Sequence, residues 1–200
     1  VYGVRVKMTA EEVKHELDAE ELAPLVLRAL GIRAPSVVRQ GNRLLMEEID
    51  GQVGADLPFS ESIDKIMQSK EGRLLGLADV LMANTDRNMG NWILLPGGGR
   101  RIAGIDHGLA FQEGVRGRTG GGGWILNGDW HTDLTTYDDT FQIVPAATNR
   151  LHPGDLAIIK ERLETLRPAF EQLGRLDWYN DMMARLAVLT ERARGKRRTL

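Results

Sequence analysis

The stretch DVLMANTDRNMGNWILLPGGGRRIAGIDHG, residues 79–108, decides how the rest of this 200-residue chain is read. A long apolar segment from Leu74 to Met82 delivers it. The apolar run WILL that follows Asn91 reads as a strand, Gly97 to Gly99 make a turn, and RIAGI returns as a second strand ending at Asp106. Asp86 stands before the first strand, with Asn91 five positions on. Asp and Asn also populate turns, so the plainer reading of the same residues is a β-hairpin capped by Asx turns.

Phosphoryl transfer from a nucleotide needs a carboxylate near the accepting hydroxyl and oxygen ligands that hold magnesium against the phosphates, because positioning and charge neutralisation lower its barrier. Asp86, Asn91 and Asp106 supply such a set. TDRNMGN with IDHG resembles the catalytic core of the kinase superfamily, closest to its phosphatidylinositol 3-/4-kinase-like and HipA-like branches. The resemblance implies Asp86 as base or orienter and Asn91 and Asp106 as Mg²⁺ ligands.

Composition sets the frame around that motif. A chain with 42% hydrophobic and 27% charged residues is ordinary for a globular protein, as one domain or two small lobes. It contains no cysteine, which excludes disulfides, thiol nucleophiles and cysteine-held metal, and fits a reducing, cytoplasmic interior. A formal net charge of −2 gives the whole molecule no electrostatic reason to seek nucleic acid or an anionic membrane. The basic run RARGKRR, Arg192 to Arg198, reads as a solvated tail. No apolar run approaches the roughly 20 residues of a membrane span. The chain opens on Val1 rather than Met, so a domain of a longer polypeptide or a processed product is expected.

Val1 to Met8 alternates Val4, Val6 and Met8 with Arg5 and Lys7, the period of a half-buried strand. Thr9 with Glu12 makes a capping-box signature, and a helical pattern runs from Val13 through Leu30 to a stop at Gly31, with Pro24 dividing it in two or sitting in a first turn. By the resemblance, Lys7 touches the nucleotide phosphates and pairs with Glu20 or Glu21, Glu20 preferred, because ExxxxxxLRALGI is similar to the helix that ends in Leu-Gly-Ile/Leu in HipA-like kinases. Two short strands follow around a Gly41-Asn42 turn. LLMEEIDG resembles the strand and hinge joining kinase lobes, which implies that Met46, Glu47, Glu48 and Ile49 hold the adenine. The plainer reading of the same residues is an edge strand leading into a turn. Only six residues precede Lys7, too few for the phosphate loop of kinases.

Leu57 to Ala83 keeps helical spacing and reads as one or two core helices, with Asp79 structural. Arg87 neutralises phosphate, supports a neighbouring carboxylate, or is solvent-exposed. His107 stands where protein kinases have Phe. Leu109 to about Pro145 resembles an activation segment, with Arg116 and Arg118 near a glycine run that is no Walker loop, Trp124 and Trp130 as anchors, and His131 and Asp133 too scattered for metal. The C-terminal third is helical, with Asp155 as a cap and Pro168 in a first turn.

The expectation is therefore an α+β, two-lobed protein-kinase-like fold, with a reduced N-terminal lobe over 1–50 and a helical C-terminal catalytic lobe over 51–200. ATP and Mg²⁺ are the expected cofactors. The acceptor is a hydroxyl, on protein Ser/Thr slightly ahead of a lipid or small molecule. A catalytically inactive nucleotide-binding or scaffold module, and nucleotidyl transfer on the same fold, are the alternatives.

Overall fold

The computed structural model describes residues 9–57, 66, 69–84, 87–97, 101–111 and 153–195. The expected Lys7 strand, Asp86, and the features read between Arg116 and Pro145 lie outside these residues, as does the tail beyond 195. Among the described residues the fold is α+β, with five α-helices and two small antiparallel sheets.

Helix α1, Ala10–Ala29, starts at the capping box read from the sequence: the Glu12 amide donates to Thr9 Oγ1 at 3.2 Å and the Thr9 amide to Glu12 Oε2 at 2.6 Å. It ends as expected before Gly31, whose φ of +85° lets the amides of Gly31 and Ile32 turn back to the carbonyls of Arg28 and Leu27. Pro24 neither divides the helix nor sits in a first turn; the helix runs through it. Proline inside a helix costs about 3 kcal/mol. Burial of Leu22, Val26 and Leu27 around it, each worth about 1.5–3 kcal/mol, offsets that cost.

Strands β1, Val37–Gln40, and β2, Arg43–Met46, form the expected hairpin, with Gln40 opposite Arg43 and Gly41 at φ +61° in the two-residue turn. The second sheet is built from β3, Gln52–Val53, β4, Trp92–Leu94, and β5, Ile102–Gly104, in that spatial order. Trp92 faces Gly104 and Leu94 faces Ile102, which is the hairpin read from WILL and RIAGI. On its far side β5 meets the segment before β1, where the Gly104 amide donates to the Arg33 carbonyl at 3.0 Å.

Helix α2, Lys70–Met82, is capped by Ser69 and delivers the motif loop. Helices α3, Pro153–Glu164, α4, Arg167–Gln172, and α5, Leu176–Gly195, follow. Asp155 lies inside the first turn of α3 rather than capping it, and Pro168 opens α4 as expected. Helix α5 packs on α2, α3 and α4, while α1 packs on α2 and α3. One hydrophobic cluster thus joins α1 to the helices after residue 51. Among the described residues no helix is long and apolar enough to cross a membrane.

A charged knot ties α1 to β1 and to the turn before α5. Asp18, 1% exposed, accepts from Lys14 Nζ at 2.7 Å, Arg39 Nη1 at 2.6 Å and Arg175 Nε at 2.8 Å. Arg175 also lies over the Trp178 ring, 4.3 Å from its centroid. Burial alone would raise the Asp18 carboxyl, but these three donors outweigh it and hold the group below its ordinary value. Removing one member of a buried pair strands the other, at about 3–5 kcal/mol. Asp18→Asn is therefore expected to lose about 3 kcal/mol in urea unfolding at pH 7. Because the folded carboxyl is depressed, that loss is full above the ordinary value of 3.8 and shrinks as pH falls below it, which unfolding at pH 3 checks.

Candidate functional site

The site starts from the way α2 stops. Ala83 takes φ +49°, and the Asn84 amide turns back to the Asp79 carbonyl at 2.9 Å. Asp79 sits in the last turn of α2 with its carboxylate out of water. Arg87 grips both of its oxygens, Nε to Oδ2 at 2.9 Å and Nη2 to Oδ1 at 3.0 Å, and Asn84 Nδ2 adds a bond to Oδ1 at 3.0 Å. Arg87 is 2% exposed, so it neither faces solvent nor reaches out to phosphate; of the three readings of this residue, support of a neighbouring carboxylate describes it. Its remaining nitrogen, Nη1, donates to the carbonyls of Asn91 and of Ile105, the latter at 3.0 Å.

Asn91 lies buried at the mouth of β4, after an Asx turn in which the Gly90 amide donates to Asn88 Oδ1 at 2.7 Å. The Ile105 amide donates to the Asn91 carbonyl at 3.2 Å, so the backbones of Asn91 and of the residue before Asp106 are bonded side by side. Asp106 then turns out of β5 at φ +53°, a left-handed conformation that Asp tolerates better than most side chains. Its side chain is exposed.

Helix α1 closes on that turn. Glu20 Oε1 accepts from the His107 amide at 2.6 Å, and among the described residues Oε2 is buried without a hydrogen bond. Burial raises the Glu20 carboxyl above its ordinary value; the His107 amide opposes this and the charge of Asp106 adds to it. Helical spacing explains why Glu20 and not Glu21 is there. Glu21 is three residues from Asp18 and shares its face, where Arg39 Nη1 takes it at 3.1 Å. Glu20 is four residues from Glu16 and three from Leu17, and all three line one cleft of about 400 Å³. Val13, Leu44 and Leu109 complete its apolar wall, and Asp106 is its third carboxylate.

Gly104 allows this approach, since a Cβ there would come within 2.9 Å of Leu27 Cδ1 and 3.2 Å of Leu75 Cδ1. His107 points inward, 1% exposed, and among the described residues neither ring nitrogen has a hydrogen-bond partner. Burial and then the charge of Arg87 push it down to about 3, so the ring is neutral and fills the position as an apolar side chain would. Beyond it, Phe111 stacks on Trp178 at 4.9 Å between centroids, and its amide donates to the Met82 carbonyl at 2.6 Å.

The structure brings Glu20 and Asp106 to the cleft and sets the Asn91 backbone against Ile105, while Asn91 itself does not line the cleft. Met46, Glu47, Glu48 and Ile49 do not line it either. The Glu47 amide is bonded to the Ser36 carbonyl at 2.9 Å, and its carboxylate to Arg33 and the Ser36 amide. Sequence reasoning missed Glu16, Leu17 and Leu44. The spacing of Val13, Glu16, Leu17 and Glu20 was the signal for the first two, whereas Leu44 comes from a different element.

No protein-family model and no curated protein matches the chain.

A neutral buried His carries a cost that grows in acid. Its folded value of about 3 lies below the ordinary 6.5, so between these values the unfolded chain holds the extra proton and stability falls as pH falls. His107→Phe removes that proton. In metal-free buffer the variant is expected to gain on wild type by about 1.4 kcal/mol per pH unit between pH 6 and 4, read by urea unfolding at each pH. Parallel curves for the two proteins would show that His107 titrates normally.

Proposed function

We propose that this chain is an ATP- and Mg²⁺-dependent phosphotransferase of kinase-like, two-lobed architecture, with 1–50 as a reduced N-terminal lobe and 51–200 as the catalytic lobe. The acceptor is a hydroxyl, protein Ser/Thr ahead of a lipid or small molecule. The observation that carries the reading is the β4–β5 hairpin: it sets the backbone of Asn91 against Ile105, so the Asn and the second Asp of the D-x-x-x-x-N…D-x-G pattern leave one hairpin end together, five and twenty residues after Asp86.

The donor chemistry fits a hard divalent cation, which favours oxygen ligands such as those of Asn91 and Asp106. The cleft beside them has a volume in the range of small-molecule sites and an apolar wall. When bound, Mg²⁺ supplies charge neutralisation on phosphate oxygens. In this reading Asp86 orients the acceptor hydroxyl and takes its proton, Lys7 touches the phosphates and pairs with Glu20, and the backbone of Met46 to Ile49 receives the base. The Glu47 amide, already bonded to the Ser36 carbonyl, is not a donor that this stretch has to offer.

A second reading, a nucleotide-binding or scaffold module without turnover, is favoured by one observation. Among the described residues the cleft is lined by three carboxylates and no cation, which leaves anionic phosphates poorly met.

Thermal melting with ATP, with and without Mg²⁺, tests the nucleotide site: the Mg²⁺-dependent rise in midpoint is expected in wild type and absent in Asp106→Ala. Intact-mass analysis after incubation with ATP·Mg²⁺ tests the chemistry. Gain of phosphate on the chain or a partner supports transfer, and gain of a nucleotide selects nucleotidyl transfer. Asp86→Asn is expected to bind ATP·Mg²⁺ nearly normally while transfer falls roughly 10²- to 10⁴-fold. A variant that loses binding and keeps its rate at saturation would move Asp86 out of the role of base.

A further inference from the structure

We propose that Arg87 is the positioning residue that sets Asn91 and Asp106 at a fixed separation; its metal half rests on reading those two residues as Mg²⁺ ligands. The guanidinium has five N–H donors in one plane. Two are spent on the Asp79 carboxylate, at 2.9 and 3.0 Å, which neutralises the charge and fixes the plane against the end of α2. Nη1 then carries the carbonyl of Asn91 and that of Ile105, the residue before Asp106. Strand pairing ends at Trp92 opposite Gly104, and past that pair this nitrogen and the bond from the Ile105 amide to the Asn91 carbonyl hold the hairpin end closed.

Lysine can keep the ion pair with Asp79 but has no planar fork to serve both carbonyls at once. Partners that orient metal ligands from behind typically matter 10- to 100-fold in metal affinity. Arg87→Lys is therefore expected to fold, to speed hydrogen exchange of the Asn91 and Ile105 amides by roughly tenfold or more, and to leave α5 amides such as Leu186 protected. The Mg²⁺ concentration that half-saturates the ATP-induced rise in melting midpoint should rise roughly 10- to 100-fold, a change that loss of fold stability alone does not produce. Wild-type protection at Asn91 and Ile105 in Arg87→Lys overturns the proposal, and so does an unchanged Mg²⁺ requirement.

Where Arg87→Lys does not fold, the double variant Asp79→Leu/Arg87→Met serves, because a buried ion pair replaced by apolar side chains of similar size is often tolerated. It is expected to fold with the same local loss of protection; if it too fails to fold, the pair is a requirement of the whole fold and the positioning role is overturned. A wild type with no Mg²⁺-dependent ATP shift overturns the metal reading by itself. The exchange result, measured without nucleotide, then still decides whether Arg87 holds the two segments.

Discussion

Two opposite charges taken out of water at the end of α2 constrain everything that follows them. Either one buried alone costs several kcal/mol, so Asp79 and Arg87 can be accommodated only as a pair. The chain has eight residues in which to bring the guanidinium back to the carboxylate, and it does so by breaking the helix in a left-handed turn at Ala83, a conformation that costs about 1–2 kcal/mol. The Asn84 amide and side chain, both bonded to Asp79, offset that cost. Once the guanidinium is in place its free edge can only face the hairpin, and the carbonyls of Asn91 and Ile105 are what it meets.

Helix α1 supplies the opposing support, and it uses two flanks. Residues 18 and 20 lie about 200° apart around a helix. Asp18 therefore collects Arg39 and Arg175 on one side, while Glu20 reaches the His107 amide on the other. The ion pairs on the first flank fix how α1 sits against β1 and α5. Because the helix is continuous through Pro24, that orientation carries to Glu20, and the Asp106 turn is held by an element anchored elsewhere in the fold.

What was legible in the sequence is what local chemistry determines. The Thr9/Glu12 box, the Gly31 stop, the Gly41-Asn42 turn and the β4–β5 hairpin are each specified by residues within a few positions of one another, and all are found. Pro24 misled because local propensity marks a break, and only the burial of its neighbours overrules it. Asp155 misled because an Asp in a first turn and an Asp at a cap serve the same helix dipole. Arg87 was ambiguous for a different reason: its partners are Asp79, eight residues back, and the carbonyls of Asn91 and Ile105, four and eighteen residues ahead, and no spacing rule joins the three. The lining of the cleft was half visible, because α1 contributes it at helical intervals, whereas Leu44 arrives from a hairpin whose packing the sequence does not encode locally.

The electrostatics of the cleft close the argument. Glu16, Glu20 and Asp106 face one space, and Glu20 is pushed upward first by its burial and then by the charge of Asp106. The His107 amide and the charge of Arg87 pull the other way, but neither residue lines the cleft. His107 is kept neutral by burial and by Arg87, and Arg87 is itself spent on Asp79 and two carbonyls. On the proposed function, positive charge at this cleft comes from beyond the described residues, from a side chain such as Lys7 or from a divalent cation on the oxygens that the hairpin presents. On that reading a bound cation would relieve the repulsion between Glu20 and Asp106, and the repulsion relieved on binding adds to the affinity.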